Sequence, residues 1–264
     1  MTYDFNLETG QLIAELNSVT FPKTLDAALH KVAEFDLTAV VAFPLGEKPQ
    51  LLHDGLGHIS SKIVMNTYLN STYVLDAVYV ACRKGVSNSL YRLSELAPDE
   101  FFATHYYNSP DVHPCISLES GSLTEEIVYI SQPADGFYLC YSLMRSSRFE
   151  QFSAEEFEKL NALKPIVQAL LAKHFSKYYI AREAPLKRAD ASALDAAFAN
   201  FKTDVLSPRE QHIVSLVLRG HSSASIANVL NIAEGTVKNH MSEIFKALNV
   251  SNRTQAAQLD ADRL

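Results

Sequence analysis

The stretch LSPREQHIVSLVLRGHSSASIANVLNIAEGTVKNHMSEIFKALNVSNR, residues 206–253, decides the reading of this chain. It opens with Leu206-Ser207-Pro208-Arg209-Glu210, where the Ser207 hydroxyl can cap a helix whose first position is Pro208, a place where the missing N–H costs nothing. Ile213, Val214, Leu216 and Val217 follow on one face, and Gly220 suits the left-handed residue that ends such a helix. A short second helix is expected over Ala224–Leu230, presenting Ile226, Ala227 and Leu230. Asn231-Ile232-Ala233-Glu234-Gly235 then turns the chain into a third helix, Gly235–Leu248, and a fourth is expected over Thr254–Leu259.

The third helix carries the chemistry. Val237, Met241, Ile244 and Leu248 recur at helical spacing and face a small core, which turns Lys238, Asn239, Ser242 and Lys246 outward. A helix built this way can lie in the major groove of DNA. Asn pairs bidentately with adenine, and Lys reaches guanine acceptors or phosphate. Thr236, His240 and Arg253 suit contacts to the sugar-phosphate backbone, which set register without reading sequence.

Four motifs together resemble the LuxR/NarL-type helix-turn-helix family. They are Leu206-Ser207-Pro208-Arg209-Glu210; Gly220 followed by Ile226-Ala227 and Leu230; Gly235-Thr236-Val237-Lys238-Asn239-His240; and Leu248-Asn249-Val250-Ser251-Asn252-Arg253. The resemblance spans Leu206–Leu259, about a fifth of the chain. It implies a DNA-binding domain of a bacterial transcription regulator, with Lys238, Asn239 and Ser242 at the positions that usually meet bases. Two departures stand out. Ser225 occupies a place where the family usually has an acid, and Ala233 one where Ser or Thr usually caps the recognition helix. Losing such a cap costs about 0.5–2 kcal/mol.

At 264 residues the chain has room for a second domain, given roughly 100–200 residues per domain. The net charge of −7 is unevenly spread. Residues 181–264 hold ten basic and nine acidic groups, and the front of the chain holds thirteen and twenty-one, a net of −8. A near-neutral tail still binds phosphate when its basic groups share a face. Cys82, Cys115 and Cys140 form no C-x-x-C pair, so neither a zinc knuckle nor a redox motif is expected, only reduced and buried thiols. No apolar run approaches the roughly 20 residues of a membrane span. Met1-Thr2-Tyr3-Asp4-Phe5 also lacks the basic and apolar start of a signal peptide. A cytoplasmic location without a membrane partner is expected.

Ahead of the DNA-binding segment, helices are expected over Lys23–Phe35, Ser60–Leu69 and Leu75–Cys82, and strands over Thr38–Phe43 and Gln50–His53. Pro98-Asp99-Glu100 reads as a helix start, with Pro in the first turn and acids at the positive end of the dipole. Glu125–Ser131 and Gly136–Leu143, rich in Val, Ile, Tyr and Phe, form a hairpin joined by Gln132–Gly136. Ser153-Ala154-Glu155-Glu156 is a capping box opening a long helix to Phe175, with a break or kink at Pro165. Lys187–Lys202 is Ala- and Asp-rich without a core pattern and reads as linker. The expected fold class is α+β: an N-terminal α/β/α sensor-like domain (an antiparallel sheet flanked by helices) over 1–178, a linker over 179–203, and a small all-α four-helix domain over 204–264.

A phospho-receiver front domain is excluded, because Thr38–Phe43 ends in no acid and the strongest strands form a hairpin instead of alternating with helices. Tyr68-Leu69-Asn70-Ser71-Thr72-Tyr73-Val74-Leu75-Asp76-Ala77-Val78-Tyr79 resembles the autoinducer-binding domains of LuxR-type quorum sensors, and Asp76 matches the acid that accepts the signal's amide. Ala77 in place of Pro and the absence of any tryptophan argue against an acyl-homoserine lactone. Tyr68, Tyr73, Asp76 and Tyr79, with Tyr138 as an opposite wall, form the candidate site for a small molecule, and aromatics around a carboxylate suit a cationic amine. His53, His58 and His105 show no metal-ligand spacing, and neither a nucleophile elbow nor a phosphate loop occurs, so no enzyme and no cofactor is expected. The reading is a ligand-controlled, homodimeric transcription regulator binding double-stranded DNA; the alternative is control by a protein partner without a ligand pocket.

Overall fold

The computed structural model describes residues 5–57, 62–110, 113–115, 123–180 and 205–251. Contacts divide the chain into two compact units, Met1–Ser60 with Cys82–Glu95 and Cys115–Arg188, and Ser61–Ala81 with Leu96–Pro114 and Ala189–Leu264.

The first unit is built on five strands: β1 (Leu37–Pro44), β2 (Gln50–Gly55), β3 (Ser89–Arg92), β4 (Leu123–Ala134) and β5 (Phe137–Ser146). Their order is β2-β1-β5-β4-β3, antiparallel throughout. The expected hairpin forms its centre and is longer than the sequence suggests. β4 and β5 pair Tyr129 with Tyr141 and Ile130 with Cys140, and Gly136 turns between them at φ 67°. Alternation sends Ile127, Tyr129, Leu139, Tyr141 and Leu143 to one face. There they pack with Leu12 of α1 (Asn6–Ala14), Phe21, Leu25 and Leu29 of α2 (Phe21–His30), Leu160 of α7 (Ala154–Ala162), and Val167 and Leu171 of α8 (Lys164–His174). Val128, Ile130, Tyr138 and Cys140, pointing the other way, are buried as well. Burial on both faces explains why these strands read as near-continuous apolar runs.

Polar anchors fix the edges of this unit. Buried Arg145 on β5 donates to Glu34 O at 2.7 Å and Gln151 O at 3.0 Å, pairs with Glu156 at 2.7 Å and covers the Phe152 ring at 3.9 Å. Glu156 also closes the expected capping box with Ser153. The long helix breaks as expected: α7 ends at Ala162, and α8 begins at Lys164 with Pro165 in its first turn. All three cysteines are buried, and Cys82 Sγ lies 3.6 Å from Cys140 Sγ.

The second unit contains α3 (Lys62–Asn70), a 3-10 turn over Thr72–Leu75 and the start of α4 (Ala77–Arg83). After α5 (Leu93–Leu96), a 3-10 turn over Phe101–Ala103 and α6 (His105–Asn108) replace the helix expected from Pro98-Asp99-Glu100. The acid of that signal is used elsewhere: Asp99 accepts from the Ser222 amide at 2.9 Å. The unit also holds α9 (Pro208–Leu218), α10 (Ser223–Leu230) and α11 (Glu234–Leu248). Ser207 and Glu210 form a capping box at α9, and Gly220 follows it at φ +88°. Ile213, Ile226, Val237 and Ile244, each 0% exposed, join the three helices. The expected helix Thr254–Leu259 and the linker segment 187–202 lie outside the described residues.

Candidate DNA interface and ligand site

Helix α11 presents two faces because its sequence is amphipathic at 3.6 residues per turn. Val237, Met241, Ile244 and Leu248 are buried. Lys238, Asn239, Ser242 and Lys246 are exposed and fall within an arc of about 100° on the opposite side. Lys238 Nζ pairs with Glu234 at 2.6 Å and Lys246 Nζ with Glu243 at 2.8 Å. Exposed pairs of this kind are worth a few tenths of a kcal/mol, so a phosphate can displace the carboxylates at little cost.

Thr236 is exposed on the flank of that arc, and His240 is half-buried there. Glu210 is held below the usual carboxylate range chiefly by Ser207, with a smaller contribution from the nearby His240. Arg253 lies outside the described residues. The departure at Ala233 has the expected consequence: the residue has N-cap backbone geometry, φ −70° and ψ 143°, and no side-chain cap. At Ser225 the side chain shares a 2.8 Å hydrogen bond with His221 Nδ1, at the place where the family pattern has an acid. Arg209 reaches the last carbonyl of α10, Leu230 O, at 3.5 Å.

In the segment 68–79 the sequence candidates meet in pairs. The Tyr68 hydroxyl, on α3, donates to Asp76 Oδ2 at 2.6 Å. Asp76 Oδ1 accepts from the Val78 amide at 2.7 Å, so this acid also caps α4. Tyr73 and Tyr79 stand edge to face with centroids 4.8 Å apart. Desolvation among these neighbours raises the Asp76 pKa, against the hydrogen bonds from Tyr68 and from the amides of Val78 and Tyr79. Tyr138 is on β5 in the other unit and is 2% exposed. In the second unit His221 escaped the sequence reading, and Asp99, expected to serve its own helix start, accepts from Ser222. The only sequence signal for these contacts was proximity to Gly220 and to Pro98.

Residues 204–259 match the family model described as bacterial regulatory proteins, luxR family. The chain is 25% identical over 196 residues to a protein of Aeromonas salmonicida named as an HTH-type transcriptional regulator in the exeN 3′ region, covering 72% of this chain and 94% of that one. It is 43% identical over 54 residues to the protein named HTH-type transcriptional regulator YhjB of Escherichia coli strain K12, a match over 20% of this chain and 27% of that one. Among solved structures, the VqsR LBD domain from Pseudomonas aeruginosa aligns with a TM-score of 0.54 and 25% identity, covering 65% of this chain and 96% of that chain. With the capped helices, the amphipathic α11 and these matches together, residues 204–259 are a DNA-binding domain of the luxR family of bacterial regulatory proteins, a family of transcription regulators and not of enzymes.

Proposed function

We propose that this chain controls transcription in response to a small molecule held by the segment Tyr68–Tyr79, and that Lys238, Asn239 and Ser242 read bases while Thr236, His240, Lys246 and Arg253 hold the phosphate backbone. The observation that carries the ligand reading is the Tyr68–Asp76 hydrogen bond at 2.6 Å with the Tyr73–Tyr79 pair nearby in sequence. A desolvated carboxylate with a raised pKa binds a cationic or N–H-donating ligand strongly, because the ligand supplies the charge or hydrogen bond that solvent no longer gives. The likeness to a domain named LBD, the usual abbreviation for ligand-binding domain, supports the same reading. The sensor, linker and output segments are assigned to 1–178, 179–203 and 204–264. The protein works as a cytoplasmic homodimer, since paired recognition helices read two half-sites at a fixed spacing. Among the described residues no helix is long and apolar enough to cross a membrane.

A thermal-shift panel of primary amines and acyl-homoserine lactones on the full chain tests this. A ligand that binds only the native state raises Tm with concentration. A rise with one compound class that disappears in Asp76→Ala supports the site. No rise with any compound favours control by a protein partner.

A further inference from the structure

We propose that the segment Pro98–Phe101 is a latch on the DNA-binding helices, which must release them before DNA can bind. The proposal rests on the reading of α9–α11 as the DNA-binding element. Within the second unit the Glu100 amide donates to Gly220 O at 2.7 Å, and the Ser222 amide donates to Asp99 Oδ1 at 2.9 Å. Gly220 is pressed so close that a Cβ on it would lie 2.4 Å from Phe101 Cα and 2.6 Å from Phe101 N. Its φ of +88° already favours glycine, so the turn needs Gly220 both for its own shape and for the approach of this segment. The latch is itself anchored. Phe101 is 2% exposed, with the Tyr107 ring 5.5 Å and the Tyr106 ring 6.1 Å away, and the Thr104 hydroxyl donates to Phe101 O at 2.7 Å.

The contact falls on one functional place. Ser222 is the N-cap of α10, its hydroxyl accepting from the Ser225 amide at 3.0 Å, and α10 is the first helix of the helix-turn-helix pair. When such a pair docks, its second helix enters the major groove and its first crosses the sugar-phosphate backbone. The amides at a helix N-terminus are suited to phosphate oxygens. In the latched form the Asp99 carboxylate occupies the Ser222 amide and places negative charge at that end of the helix. Partial desolvation opposes its ionisation, but the hydrogen bonds from Ser222, with the Asp99 amide and the nearby His221, together outweigh it and hold the carboxyl below its ordinary pKa. Lys238 and Asn239 remain exposed on α11, so the latch acts on the approach of the DNA backbone and leaves the base-reading face uncovered.

The test uses the full chain and a fluorescein-labelled duplex of random sequence at about 50 mM salt, where phosphate contacts dominate binding. Asp99→Ala should tighten the apparent Kd by about three- to tenfold, since a chain latched most of the time binds with an affinity reduced by its unlatched fraction. Glu158→Gln removes an exposed acid from α7 and should leave the Kd unchanged. Hydrogen exchange on the unaltered chain gives a second readout that no variant can spoil by misfolding: saturating duplex should speed exchange of the Glu100 amide and its neighbours over 98–104. Unchanged exchange there, or equal tightening by Glu158→Gln, overturns the latch. If the chain and Asp99→Ala both fail to bind the duplex while folded, the DNA-binding reading fails first and the latch with it.

Discussion

Replacing Ala233 with Ser should stabilise the recognition helix by about 1 kcal/mol, within the range of about 0.5–2 kcal/mol for an N-cap hydroxyl. The structure supplies its own standards. Ser153, Ser207 and Ser222 have φ near −65° and ψ of 160°, 158° and 166°, and each accepts from the amide three residues on, at 3.2, 3.4 and 3.0 Å. Ala233 has nearly the same backbone, φ −70° and ψ 143°, and is exposed, so a hydroxyl fits there without strain. Its target would be the Thr236 amide, which now bonds to Ala233 O at 2.9 Å. Because position 236 is Thr and not Glu, the reciprocal half of a capping box cannot form, which puts the gain toward the lower end. The gain is local to one helix of a two-unit chain without tryptophan, so a global melt dilutes it. Native-state hydrogen exchange resolved to α11 is the better assay, and about 1 kcal/mol appears as roughly fivefold slower exchange at Val237 and Met241. Ser222→Ala calibrates it by speeding exchange in α10. If that variant responds and Ala233→Ser leaves α11 unchanged, the missing cap is not a weak point of this domain.

Three further outcomes are expected. Lys238→Ala combined with Asn239→Ala should weaken binding to duplexes selected by the unaltered chain by at least about tenfold, one or more contacts at about 1–3 kcal/mol each, and unchanged anisotropy titrations would remove α11 as the reading helix. Burial raises the Asp76 carboxyl above its ordinary 3.8, so the folded chain holds that proton to higher pH than the unfolded chain, and stability falls as pH rises from the ordinary toward the raised value. The unfolding free energy of the unaltered chain relative to Asp76→Asn should decline across that interval, and a flat difference would contradict the raised pKa. Gly55→Ala would place a Cβ 1.9 Å from Thr38 Oγ1, and denaturant melts should show a loss of about 1–3 kcal/mol, partly recovered by adding Thr38→Ala; a neutral Gly55→Ala would mean that β2 shifts freely against β1.

The DNA-binding domain was legible because its signals are local. Ser207 with Glu210, the glycine at 220 and the spacing of Val237, Met241, Ile244 and Leu248 each act within one to four turns of helix, a range that a sequence window contains. The same holds for the Ser153 box and for the β4–β5 hairpin, whose partners meet across a turn at Gly136. Among the elements that went unread for want of such signals are α1 and β3. In α1 only Leu12 is buried, while Leu7 and Ile13 are exposed. β3 is four residues long with a single fully buried side chain, Leu90, and owes its existence to β4, about forty residues later.

The candidate sites divide in the same way. Tyr68 and Asp76 were chosen by residue type, but their hydrogen bond depends on the Thr72–Leu75 turn folding α3 back onto the start of α4. Asp99 shows the limit most clearly. By local chemistry it belongs at the start of its own helix, yet its carboxylate is taken by an amide 123 residues away. Sequence by itself determined the helices with strong caps or a clear apolar stripe, such as α7, α9 and α11, and the strand pairing across the short turn, since these follow from steric and hydrogen-bonding preferences among near neighbours. Only the tertiary structure decided which distant backbone groups meet which side chains, because closing a long loop is governed by the packing of whole faces and leaves no periodic mark on either partner.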